Sequence, residues 1–138
     1  MALILSTFLI LTFGMLDLGL GVFRYHTISQ AARHGARRAI VHGEMADRLS
    51  PWGPTMIDVP ATANGVPIVG GATDGLQDML VGCDLERTRI RVEWPAGSNA
   101  FDEPVRVTLT TPYEPLFSFV FADGEITLSA SSTMSIAH

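Results

Sequence analysis

The sequence predicts an α+β fold: a long N-terminal α-helix whose C-terminal half packs on a small antiparallel sheet of about three strands, in the outline of a lollipop. Three observations lead there. The first 23 residues, MALILSTFLILTFGMLDLGLGVF, are apolar with one charge, Asp17. Residues 24–41 keep a helical period but become amphipathic. From residue 88 onward the period drops to two, the signature of half-buried strands.

The opening segment would form a helix of about 35 Å at ~1.5 Å per residue. That exceeds the ~30 Å hydrocarbon core of a bilayer, so residues 1–23 can span a membrane with some tilt. The segment lacks the basic start, short apolar core and small-x-small cleavage site of a removable secretory signal. Arg24, Arg33, Arg37 and Arg38 all follow it, which by charge bias alone would set the C-terminal side in the cytoplasm. Basic residues ahead of Met1 would reverse that orientation.

On a helical wheel, Tyr25, Ile28, Ala31, Ala32, Gly35, Ala36 and Ala39 share one arc. His26, Thr27, Gln30, Arg33, His34, Arg37 and Arg38 share the other. Gly43 supplies a stop, so one continuous helix is expected over 1–43, apolar all round in its first half. Ile28, Ala31, Ala32, Gly35, Ala36 and Ala39 are expected to pack on the sheet. Gly14, Gly19 and Gly21 weaken helix propensity by up to about 1 kcal/mol each. With Asp17 and Arg24 they form the set expected to pack against other helices, since small residues let backbones approach closely.

Residues 44–85 read as an irregular Pro- and Gly-rich connection with a short helix over 74–82, capped by Thr73 or Asp74 and ended by Gly82. Residues 86–138 carry the strands. Thr88, Ile90, Val92 and Trp94 make one alternating row, and Val105, Val107, Leu109 and Thr111 a second. The third is Ile126, Leu128, Ala130, Ser132, Met134 and Ile136. Sequential strands usually pair, giving a meander whose apolar face the Ala/Gly stripe can cover.

The nine basic residues are all Arg. Residues 1–50 carry five of them against three acids, and residues 51–138 carry four against eleven. An acidic globular part argues against a nucleic-acid partner, which needs clustered cations. A single cysteine, Cys83, excludes an internal disulfide. It is followed by Asp84 and Glu86, the wrong setting for an activated thiolate. His26, His34 and His42 recur every eight residues, about 12 Å apart along a helix and too far for one metal ion. Asp74/Asp78 and Asp102/Glu103 match no calcium loop. No phosphate loop, nucleophile elbow or zinc-protease motif occurs, so no enzyme, cofactor or metal is expected. Leu116, Phe117, Phe119 and Phe121 lie between two strands without alternation. They either fold over the end of the sheet or form a contact loop for a neighbouring subunit or membrane.

The run FGMLDLG leading into ISQAARHGARRAIVHG resembles the TadE-like, pilin-related proteins of the Tad branch of type IV pili. VRVTLTTPYEPLFSF and ITLSASSTMSIA resemble that family's closing pair of strands. The resemblance covers about 75 of the 138 residues and leaves 44–85 unmatched. It implies a pilin-like structural subunit, held in the bacterial inner membrane, clipped by a prepilin peptidase and handed to the pilus assembly machinery. Its helix would then pack with those of other copies in an extracellular filament at the cell surface. The alternative it implies is a bitopic accessory protein, a minor pseudopilin or adaptor, that does not polymerise. Two departures stand out. The family's basic leader, Gly cleavage site and Glu five residues into the mature chain do not occur, and Met1 aligns just after that Glu, so a further N-terminal segment is expected. Where an Arg often follows the family's acidic-x-Gly triplet, this chain has Leu20. A membrane-tethered hydrolase, the remaining class, lacks a nucleophile–base pair.

Overall fold

A computed structural model describes residues 1–46, 51–63, 66, 68, 75–115 and 125–137. The first element, α1, runs from Ala2 to Ala39, 38 residues or roughly 57 Å. Thr7 and Thr12 return their hydroxyls to the carbonyls of Leu3 and Phe8 at 2.9 and 2.8 Å. Their polarity is thereby satisfied inside the helix, as an apolar surrounding demands. The helix ends a turn earlier than Gly43 suggests. Val41 and His42 bond the Arg38 and Ala39 carbonyls, and Ala137 N–H donates to Ile40 O at 3.0 Å. Tertiary contact, not a glycine cap, receives the orphan carbonyl at this end.

The sheet has four strands, one more than expected: β1 (Ile57–Pro60), β2 (Arg89–Glu93), β3 (Pro104–Tyr113) and β4 (Ile126–Ser135). They lie in the order β1-β2-β3-β4, all antiparallel. The additional strand, β1, falls inside the stretch expected to be irregular. Its four residues, IDVP, are too few to display a period. Pro60 also argues against a central strand; it is tolerated here because β1 is an edge. A helical turn, α2 (Leu76–Met79), stands where a helix over 74–82 was expected. Gly75 occupies its N-cap without a side-chain bond. Thr73 and Asp74 lie outside the described residues.

Alternation in β2 and β3 sorts the side chains by face. Ile90, Val92, Val105, Val107 and Leu109 are fully buried, as is Ile28 of the helix opposite. Thr88 and Thr111 are buried too, their hydroxyl oxygens 2.9 Å apart, and Thr88 donates to the Asp84 carbonyl at 2.6 Å. The other face of the sheet carries charges: Asp58 of β1 accepts from Arg89 and Arg91 of β2. Arg87 bridges Glu114 and Glu125.

Two contacts fix the direction of the helix relative to the sheet. Asp17 lies at the Tyr113 end of β3, and Ile40 meets Ala137 just past the end of β4. Helix α1 therefore runs parallel to β4, and the sheet flanks only its second half.

Candidate functional site

Residues 3–16 of α1 stand clear of the sheet. Leu3 is 84% exposed, Phe8 63% and Leu16 57%, values normal for a polar surface and costly for an apolar one in water. The apolar exposure continues through Leu18, Leu20, Val22 and Phe23. This is the one helix among the described residues long and apolar enough to cross a membrane. A Cβ added at Gly14 or Gly19 would meet nothing within 4 Å.

Contact with the sheet begins at Asp17, which is only 2% exposed. Asp17, Gly21 and Arg24 recur at i, i+4 and i+7, hence on one helix face, and that face meets Tyr113 at the end of β3. The tyrosine hydroxyl donates to the Asp17 main-chain carbonyl at 2.8 Å. A Cβ on Gly21 would lie 3.5 Å from the ring edge, an ordinary contact, so the ring packs directly beside the helix at this position. The Arg24 guanidinium sits 5.1 Å from the ring centroid, within cation–π range. Burial, reinforced by the Asp17 carboxylate, pushes the Tyr113 phenol up from its usual range. The hydroxyl therefore remains a donor at any physiological pH.

Beside this contact lies an apolar groove of about 270 Å³, with Leu18, Val22 and Tyr25 on the helix side and Pro115, Ile126 and Leu128 on the sheet side. Asp17, Gly21 and Tyr113 also line it.

Of the five residues named for helix–helix packing, the structure thus gathers Asp17, Gly21 and Arg24 against the sheet of their own chain. Gly14 and Gly19 stay open. The second set behaves uniformly: Ile28, Ala31, Ala32, Gly35, Ala36 and Ala39 are all buried. A Cβ on Gly35 would come within 3.1 Å of Val107 Cγ1 and 3.2 Å of Leu76 Cδ1. Close approach of helix to sheet occupies this stripe of small residues. Tyr25, placed on the same arc by the wheel, is exposed. It lines the groove beside Ile126 and Leu128 instead. Leu116, Phe117, Phe119 and Phe121 fall outside the described residues.

Cys83 is half-buried, and desolvation pushes its thiol up despite nearby Arg24. It is thus less nucleophilic than an ordinary cysteine. His42 stacks on Trp52 with ring centroids 4.0 Å apart. Among the described residues no three His, Cys, Asp or Glu side chains gather into a metal-sized group.

Tyr113 is the residue that sequence reasoning missed. The available signal was its place at the end of the row Val105, Val107, Leu109, Thr111. A tyrosine ending an apolar row buries its ring and needs a partner for its hydroxyl.

Residues 1–37 match the family model described as TadE-like protein, which covers α1 almost to its end. No curated protein and no solved structure matches the chain. The N-terminal segment is therefore TadE-like, and the chain is consistent with a Tad-pilus-related protein carrying an apolar N-terminal helix.

Proposed function

We propose that this chain is a pilin-like structural subunit, whose α1 helix packs with those of other copies in the core of an extracellular Tad-type filament while the sheet faces water. One observation carries the reading. Along a single continuous helix, the second half has its small-residue stripe covered by its own sheet, whereas Leu3–Leu16 is apolar, uncovered and interrupted by the open Gly14. Lipid can cover such a surface before assembly, and neighbouring helices can replace lipid afterwards. On this reading the chain resides in the bacterial inner membrane and meets a prepilin peptidase and the assembly machinery before it polymerises. The structural role also suits a chain without a nucleophile–base pair among the motifs of its sequence.

The test is direct. Surface material sheared from cells making the protein is imaged by electron microscopy and analysed by mass spectrometry. Fibres containing the chain are expected. A chain found wholly in the membrane fraction, with no fibre holding it, would instead be a bitopic accessory protein of the same machinery.

A further inference from the structure

Two exposed arginines on α1 stand apart from the rest. Arg33 and Arg37 lie one turn apart and, with Gln30, His34 and Met79, line a shallow polar depression. Among the described arginines they are the two with no ion pair, hydrogen bond or ring contact. Arg87, Arg89 and Arg91 are paired with acids, Arg106 bonds Thr133, and Arg24 covers Tyr113. Arg38 also has an interaction. Asp78, next to Met79 on α2, makes no ion pair with either arginine. In a chain of net charge −5, this is an unneutralised basic row.

The complementary feature lies at the far end of the same helix. Glu44 bonds Asn99 through its backbone, Asp102 bonds Ile136, and Ile136 bonds Glu103. Ala137 in turn bonds Ile40. These contacts gather three acids, Glu44, Asp102 and Glu103, around the end of α1. None of the three forms an ion pair among the described residues.

We infer that the Arg33/Arg37 row of one copy docks against the Glu44/Asp102/Glu103 cluster of a neighbouring copy, setting the axial register between subunits. The inference rests on the subunit reading above. Charge complementarity selects the partner, since an acidic protein carries the counterpart of its own basic row. A bilayer surface is too far away. Arg33 lies ten residues beyond Phe23, about 15 Å, against a Debye length of about 8–10 Å. The contact is heterologous, so it propagates instead of closing a dimer. The acids stand about seven helical residues beyond the basic row, so neighbours are offset by roughly 10 Å along the axis.

The test uses the full chain in cells, with sheared fibres quantified by immunoblot and membrane-bound protein as the control. Arg33→Glu with Arg37→Glu should lower fibre yield by about tenfold or more through like-charge contact, at unchanged membrane abundance. Adding Glu44→Arg, Asp102→Arg and Glu103→Arg should restore it. Unchanged fibres in the arginine variant, or loss without rescue, would overturn the inference. Should the arginine variant fail to accumulate, the acid-to-arginine variant alone carries the same expectation of loss. In a Cys83→Ser chain, Arg37→Cys and Glu103→Cys should be joined between copies by a short bis-maleimide. Cross-linked pairs in membranes that yield no fibre would keep the contact and remove the polymer reading. No cross-link and no effect on fibres would remove the contact alone.

Discussion

The Tyr113 hydroxyl donates to the Asp17 main-chain carbonyl at 2.8 Å, tying the last residue of β3 to the middle of a helix that is otherwise apolar around that level. Below this point α1 is uncovered; above it the helix is one wall of the core. The contact marks where one helix passes from an uncovered apolar surface to one covered by its own chain.

Removing that hydroxyl should loosen the junction without unfolding the head. Tyr113→Phe keeps the ring on Gly21 and deletes one buried hydrogen bond, worth about 1 kcal/mol. Amide exchange at residues 17–24 should accelerate while exchange in β2 and β3 holds. Unchanged exchange at the junction would show that the ring alone anchors the helix.

Asp17→Asn tests the side chain separately from its carbonyl. The substitution keeps size and the Tyr113 bond to the main-chain carbonyl but removes the charge, so membrane insertion should hold. If a cation from a staggered neighbour meets this carboxylate, fibre yield should fall. Normal fibres would restrict Asp17 to its own chain.

Glycines along α1 should divide by location. Gly35→Val drives a branched side chain into Val107 and Leu76, and overpacking of this kind costs about 1–3 kcal/mol. Thermal unfolding of the detergent-solubilised chain should report that loss. At Gly19 a Cβ meets nothing within 4 Å, so Gly19→Leu should not lower the unfolding midpoint while assembly suffers. Equal destabilisation by both would contradict the division.

Acid should weaken the attachment of β1. Hydrogen bonds from Arg91 and then Arg89 hold the Asp58 carboxyl below its usual range. Its folded value lies under its unfolded value of about 3.9, so the stabilisation is complete above that pH. It is lost as pH falls through the depressed folded value. Asp58→Asn should lower the unfolding midpoint at pH 7 and shrink the difference between variant and parent below pH 4. A gap that persisted at low pH would rule out this ion pair as the cause.

The buried threonines should couple. Thr88→Val removes the hydroxyl partner of Thr111 and leaves that buried hydroxyl unpaired at about 1–3 kcal/mol, while the Asp84 carbonyl keeps the Thr88 N–H. Thr111→Val alone should also destabilise. The double variant should cost less than the sum, because removing both partners leaves fewer orphans. Strict additivity in unfolding free energies would show that the two hydroxyls act independently.

Local periodicity determined most of the architecture. The all-round apolar run, the Ala/Gly stripe and the alternating rows of β2, β3 and β4 each repeat often enough to define an element and its buried face. Short elements carried no such signal. Four residues cannot display a period of two, so β1 became visible only once β2 offered it a hydrogen-bonding edge. The end of α1 was likewise decided by Ala137 reaching Ile40, a contact between residues nearly a hundred positions apart.

The candidate site divides the same way. That Asp17, Gly21 and Arg24 share a face follows from helical spacing alone. Spacing on one helix, however, leaves open whether such a face looks toward its own sheet or another molecule. Tertiary structure decided it by ending β3 on a tyrosine level with Asp17, so that the ring covers that face and leaves Leu3–Leu16 bare. A pattern along the chain reports which residues lie together; only the folded arrangement of distant segments determines which of them remain uncovered.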